Sequence, residues 1–200
     1  MKLKNSLTTL FIVVISGFFI IANYAPTVTW GGLGLQENLL LINKAIFPDN
    51  QLHGVFAGEW YRVFTFVLTH AGWFHLASNM LVFFQLGNIA EQYYGKARYG
   101  IILLASAAAA SFSCLYLDPV NQPSVGASGM IFGLFGVMLV AGKKMGVDYK
   151  QVVGLLVLNI VFSFVPGVDW HAHAGGLVGG LVAGFLLQFT RPKPKSTYSY

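Results

Sequence analysis

Three polar clusters stand out in a chain that is otherwise strongly apolar. Ser128 lies between Gly126 and Gly129 in the run Val125-Gly-Ala-Ser-Gly-Met-Ile-Phe-Gly-Leu-Phe-Gly136. At the start of an apolar helix, such a serine has unpaired backbone N–H groups beside it, and its glycine neighbours let other backbones approach. A hydroxyl in that setting suits acyl transfer, with the N–H groups holding a developing oxyanion. The same residues also suit plain helix packing in lipid, where Gly and Ser are common and a serine can bond back to its own turn. The other two clusters decide between these readings.

The second cluster offers a base. His173, Gly176 and Gly180 are spaced i, i+3, i+7, with Gly184 one turn further on, so they share one helix face. A glycine stripe below a histidine lets that helix press against the one carrying Ser128. Phe132, four residues after Ser128, then lies one turn deeper and is expected to pack on the His173 ring. His171, beside Trp170, reads as interfacial and is the weaker base candidate. Asp169 reads as a solvated loop carboxylate, so the expected unit is a Ser–His dyad. The third cluster is His75 and Asn79, spaced i, i+4 on one helix face, either able to donate to a tetrahedral intermediate. His70 lies slightly earlier, at or above the interface.

The elements that must position these groups follow from composition. The 200 residues are 56% hydrophobic and only 10% charged, against about 25% charged in a soluble domain. The chain therefore reads as an all-α, polytopic membrane protein of one domain over 1–200, with spans of about 5–24, 73–92, 97–117, 126–142, 151–165 and 171–189. The first apolar run resembles a signal peptide or a first span, and the span is preferred because the run is near the minimum spanning length of roughly 17 residues and Pro26 directly follows the small-residue cleavage position Ala25. The long outer loop, 26–72, is too apolar for a solvated linker. Leu39–Ile42 and Ala45–Phe47 are expected to form a short interfacial helix there, with Trp60, Tyr61 and Arg62 anchoring at headgroup depth.

Six spans place both termini on one side. Ten of the twelve basic residues, Lys2, Lys4, Lys96, Arg98, Lys143, Lys144, Lys150, Arg191, Lys193 and Lys195, then share that side, leaving Lys44 and Arg62 outside. This bias points to cytoplasmic termini, and it assigns the basic pI near 9.4 to membrane topology rather than nucleic acid. With that topology Ser128, His173, His75 and Asn79 all fall near the outer ends of their spans. Cys114 is the single cysteine, so no intramolecular disulfide can form.

These residues resemble the rhomboid family of intramembrane serine proteases. Gly126-Ala-Ser-Gly129 is similar to that family's nucleophile motif, His75-x-x-x-Asn79 to its second-span motif, and Ala172-His-Ala-Gly-Gly176-x-x-x-Gly180 to its final-span motif. Arg62 with Thr65 and His70 resembles its first loop, and Glu91-x-x-x-Gly95 the end of its second span. The similarity runs from about Trp60 to Gly184 in the family's order. Tyr61 departs from the Trp usual before the Arg, and Phe132 stands where some members have Tyr.

The resemblance implies a six-transmembrane-helix rhomboid-like bundle with a water-filled cavity on the outer side. It implies Ser128 as nucleophile, His173 as general base, and an oxyanion hole from the Ser128 N–H, His75 and Asn79. Span five and the loop 165–170 would gate substrate access. The expected reaction is hydrolysis of a peptide bond in or next to a substrate's transmembrane segment, in a minimal bacterial form residing in the inner membrane. The expected partners are transmembrane protein substrates and the lipid bilayer, with no nucleic acid. No metal or organic cofactor is expected, because the histidines lack a zinc-type helix motif. The main rival is a non-catalytic rhomboid-like protein that binds transmembrane segments. A transporter is disfavoured because the polar groups cluster near one face.

Overall fold

The structure is a computed structural model describing residues 6–25, 28–164 and 167–190. Lys2, Lys4, Arg191, Lys193 and Lys195 of the charge argument, Pro26, and Val165 and Pro166 of the expected gate lie outside the described residues.

Helix α1 (Leu7–Tyr24) begins where the Ser6 hydroxyl accepts from the Thr9 N–H. Two short helices in the outer loop follow, α2 (Leu35–Leu39) and α3 (Arg62–Thr65). The bundle then continues with α4 (Trp73–Tyr94), α5 (Lys96–Leu117), α6 (Ser128–Ala141), α7 (Tyr149–Ser163) and α8 (Trp170–Gln188). One residue, Gly95, joins α4 to α5. It reverses the chain at φ 75°, a backbone region that glycine enters without a Cβ penalty. Asp148 and Asp169 accept from the first-turn N–H groups of α7 and α8, which fixes where those helices start.

Among the described residues, four helical segments are long and apolar enough to cross a membrane: 7–24, 96–117, 128–145 and 170–188, the third continuing α6 through the tight turn Gly142–Met145. Helix α4 is as long as α5 but more polar, since it carries His75, Asn79 and Glu91. Helix α7 is shorter, at 15 residues. The chain is an all-helical, multi-pass membrane protein. Its outward faces are apolar, as at Val13, Val178 and Leu186. That is the pattern of a solvent made of lipid rather than water.

Close backbone approach organises the centre. Helix α8 packs against both α6 and α5. A Cβ added to Gly176 would fall on the Gly129 carbonyl oxygen, and one on Gly180 would fall on the Gly133 carbonyl. Gly136 in turn receives the backbone of Leu177 and Leu181. Gly175 and Gly179 form a second glycine face of α8, set against Ala109, Ala105 and Ser113 of α5. Small residues gain dispersion contacts here because nothing holds the backbones apart.

At the opposite end of the molecule from Ser128, Glu91 binds the start of α1. Its carboxylate accepts from Ser6 Oγ, the Leu7 and Thr8 N–H groups and Thr8 Oγ1 at 2.7–3.0 Å. A carboxylate at a helix N-terminus meets unpaired donors and the positive end of the helix dipole. Thr8 also bonds the Tyr99 hydroxyl at 3.0 Å, which ties α1, α4 and α5 together.

The outer loop differs from expectation in two ways. The interfacial helix over Leu39–Ile42 and Ala45–Phe47 is absent: α2 ends at Leu39, Leu41 pairs with Ser124, and Ala45–Ile46 forms a short antiparallel ladder with Leu52–His53. Its backbone groups thus find partners across the loop rather than along a helix. Arg62 is not a headgroup anchor either, being fully buried. Its Nε donates to Glu59 at 2.7 Å, and Nη1 donates to the Glu37 and Leu40 carbonyls at 2.8 and 2.9 Å. Arg62 thereby ties the first half of the loop to the second. Trp60 and Tyr61 are exposed, as interfacial residues are.

Candidate active site

Ser128 is the first residue of α6, and its position is set by the segment before it. Ser124 exchanges both backbone hydrogen bonds with Leu41, the Gly126 N–H donates to the Phe66 carbonyl at 3.1 Å, and the Ala127 N–H points to His70 Nε2 at 3.5 Å. Gly126 adopts φ 110°, which strains any residue with a Cβ. It is also where α4 arrives. A Cβ there would come within 2.8 Å of His75 Nε2 and 3.7 Å of Asn79 Nδ2. Two donor side chains therefore converge on the turn that delivers Ser128.

The hydrogen bonds fix which nitrogens donate. His75 Nδ1 accepts from the Ala71 N–H at 3.4 Å, so the ring proton belongs on Nε2, the side facing Gly126. Asn79 Nδ2 is buried and has no partner among the described residues. An unmade donor in a buried site costs about 1–3 kcal/mol, so this nitrogen is free to take an acceptor. The first N–H groups of α6, including that of Ser128, add further donors at the same place. Ser128 itself is partly exposed, and its hydroxyl has no hydrogen-bond partner among the described residues.

His173 comes from the first turns of α8. The imidazole is buried and lies flat on Phe132, with centroids 4.1 Å apart and planes 8° from parallel. Directly beside this pair, a Cβ on Gly129 would sit 3.1 Å from the Ala172 carbonyl. The residue after Ser128 thus touches the residue before His173. Nδ1 of His173 lies 2.5 Å from the Ser163 hydroxyl at the end of α7. Nε2 has no partner among the described residues. No hydrogen bond there joins Ser128 to His173, so the two are adjacent but not engaged.

His70 is buried beneath the Ser128 turn, 5.0 Å from the His75 ring. Burial, with His75 second, pulls its pKa down to about 4, so at neutral pH it accepts from Ala127 as a neutral ring. Its backbone is held on both sides by the Gln36 amide, at 3.1 and 3.2 Å.

Asp169 is not the solvated carboxylate expected. It caps α8 through Ala172 and accepts from the Cys114 thiol, and it reaches His173 only through its backbone carbonyl. The N-cap position explains this, because the helix start turns the side chain toward its own N–H groups. His171 stacks on Trp170 and pairs with Asp118 at 2.5 Å, away from Phe132. Cys114, Asp118 and Asp169 bring ligand atoms within 4.8 Å of one another. The thiol–Asp169 and Asp118–His171 bonds already occupy them as a clasp between α5 and α8.

Ser163, Gln36, Leu41 and Phe66 were not singled out from the sequence. Leu41 and Phe66 act through backbone atoms, which leave no mark in residue type. Ser163 and Gln36 are ordinary polar residues at element ends, with no spacing to mark them.

Known proteins resemble this chain over most of its length. The family model for the rhomboid domain matches residues 57–189, which include every side chain placed around Ser128 except Gln36 and Leu41. YdcA of Bacillus subtilis, provisionally named a rhomboid protease, is 35% identical over 139 residues, covering 66% of this chain and 70% of its own. The rhomboid protease GluP of the same organism is 31% identical over 194 residues, covering 92% of this chain but 35% of GluP. RHOMBOID-like protein 5 of Arabidopsis thaliana is 35% identical over 167 residues, covering 76% of this chain and 53% of that protein.

Proposed function

The chain belongs to the rhomboid family, and from that premise we propose that it is an intramembrane serine endopeptidase acting through a Ser128–His173 dyad. The relatives named as proteases support this at the level of the family. The observation that carries it to these residues is the convergence of His75 Nε2 and the unpartnered Asn79 Nδ2 on Gly126, two residues before Ser128.

In this reading His173 Nε2 removes the Ser128 proton as the hydroxyl attacks the scissile carbonyl. The tetrahedral oxyanion then accepts hydrogen bonds from the Ser128 N–H, His75 and Asn79. His173 returns the proton to the leaving amine. Water next attacks the acyl enzyme by the same route, with His173 again taking and returning the proton. Phe132 supports the imidazole face, and Gly176 and Gly180 keep α8 close enough for contact. His70 and Arg62 hold the loop on which the Ser128 turn rests.

The substrates are membrane-embedded proteins. Helical hydrogen bonding protects their peptide bonds, so a segment must unwind before it reaches Ser128, and Gly or Pro near the cleavage point eases this. All six long helices cross the bilayer in this reading, with cytoplasmic termini, the site toward the outer surface and residence in a bacterial inner membrane. Helix α7 and the loop 165–170 form the access route. Only Val152, Leu156 and Ser163 of α7 are buried, and it packs lightly on α6 and α8, so it can part from the bundle at low cost.

The test is labelling of detergent-solubilised protein with a fluorophosphonate serine probe. Wild type should label, while Ser128→Ala and His173→Ala should not. Folded wild type that stays unlabelled would favour a non-catalytic protein that binds transmembrane segments.

A further inference from the structure

We infer that Ser163, at the last turn of α7, is the positioning residue for His173, supplying the orientation that a third carboxylate supplies in a triad. The inference rests on the dyad reading above. The Ser163 hydroxyl lies 2.8 Å from the Asn159 carbonyl, four residues earlier, and 2.5 Å from His173 Nδ1. The Asn159 carbonyl can only accept, so a Ser163 hydroxyl that donates to it keeps its oxygen lone pairs for a donor on the other side. The Ser163 oxygen then receives the proton of His173 Nδ1. Neutral imidazole carries one proton, so Nε2 is left with its lone pair free, which is what a base facing Ser128 needs.

Among the described residues, no other group does this. Asp169 is engaged with Ala172 and Cys114, and His171 with Asp118. The opposite ring tautomer would place a proton on Nε2 and disable the base. It would also turn the Ser163 proton from the Asn159 carbonyl toward Nδ1. Ser163 is buried, so water does not readily take its place. When Nε2 gains the Ser128 proton, the Nδ1–H bond to Ser163 strengthens with the ring's charge. Because the hydroxyl stands on α7, the base stays oriented only while the outer end of that helix is docked.

The experiment combines two readouts on wild type, Ser163→Ala and Ser163→Thr in detergent. The first is the rate of fluorophosphonate labelling at Ser128. The second is the ¹⁵N signals of His173 in histidine-labelled protein, which report which nitrogen holds the proton. Wild type should show the Nδ1-protonated tautomer. Ser163→Ala should shift the population toward Nε2-protonated and slow labelling about tenfold, the loss of one buried hydrogen bond, while Ser163→Thr restores both. An unaltered tautomer with undiminished labelling in folded Ser163→Ala would overturn the inference and leave the dyad standing. Absence of Ser128 labelling in wild type would overturn the dyad, and this inference with it.

Discussion

Phe132 and His173 lie face to face, 4.1 Å between centroids, on the two helices that Gly129 and Gly176 bring into backbone contact. The contact fixes the plane of the imidazole from below, while Ser163 fixes its edge. An aromatic contact of this kind contributes about 0.5–1.5 kcal/mol beyond area burial. Phe132→Ala should therefore lower kcat on a membrane-anchored reporter roughly twofold to tenfold. Phe132→Tyr, which keeps the ring, should stay near wild type, and equal losses in the two variants would show that the stack is not what matters.

Asn79 should separate rate from stability. Its Nδ2 has no hydrogen-bond partner among the described residues, so Asn79→Ala removes no bond to them from that nitrogen. Turnover should fall about 10²- to 10³-fold, the usual effect of one oxyanion donor, with little change in thermal unfolding. An unchanged rate would remove Asn79 from the oxyanion hole.

The glycine contacts predict a graded steric response. Gly176→Ala and Gly180→Ala each place a methyl group on a carbonyl of α6, and should destabilise by about 1–3 kcal/mol through overpacking. Both should also lose activity by pushing α8 from α6. Gly154→Ala on α7 meets nothing within 4 Å and should be neutral or gain up to about 1 kcal/mol from helix propensity. Thermal unfolding in detergent of the three variants checks the order.

Arg62→Lys should not be conservative. Three directed bonds leave the guanidinium, to Glu59, Glu37 and Leu40, and a single ammonium cannot reproduce that fork. Breaking a buried charged network costs about 3–5 kcal/mol, so the variant should unfold earlier and label more slowly. Unchanged stability would mean that the outer loop does not depend on this residue.

Two histidines outside the spans give opposite pH dependences. His70 has its pKa lowered by burial from 6.5 to about 4, so the unfolded chain binds the extra proton first. Its contribution is complete above pH 6.5 and is lost as pH falls toward 4, at up to about 1.4 kcal/mol per pH unit. His53 has its pKa raised by hydrogen bonds to Glu59 and then Asp49. Its contribution is complete below pH 6.5 and is lost as pH rises through the folded value. Unfolding measured across pH 4–9 should lose part of its acid slope in His70→Gln and part of its alkaline slope in His53→Gln.

The residue types and spacings fixed a good deal of this protein. Low charge and long apolar runs required a helical membrane bundle, because backbone polar groups in lipid must pair within their own segment. Spacing of i, i+3 and i+4 put His75 with Asn79, and His173 with Gly176 and Gly180, since helical periodicity is local. The family resemblance was legible in those same positions.

Tertiary structure decided what spacing cannot carry. The outer loop forms a short ladder at Ala45–Ile46 instead of an interfacial helix, and Leu41 pairs with Ser124 more than eighty residues away. Arg62 goes inward because the Glu37 and Leu40 carbonyls are left unpaired beside it. Asp169 turns to its own helix start, and the partner of His173 becomes Ser163, a residue on another helix whose type and spacing are ordinary. Helical periodicity specifies which side chains share a face. Which faces meet, and at what height, is set by the backbone contacts of Gly129, Gly133, Gly176 and Gly180, and these exist only once α6 and α8 have packed.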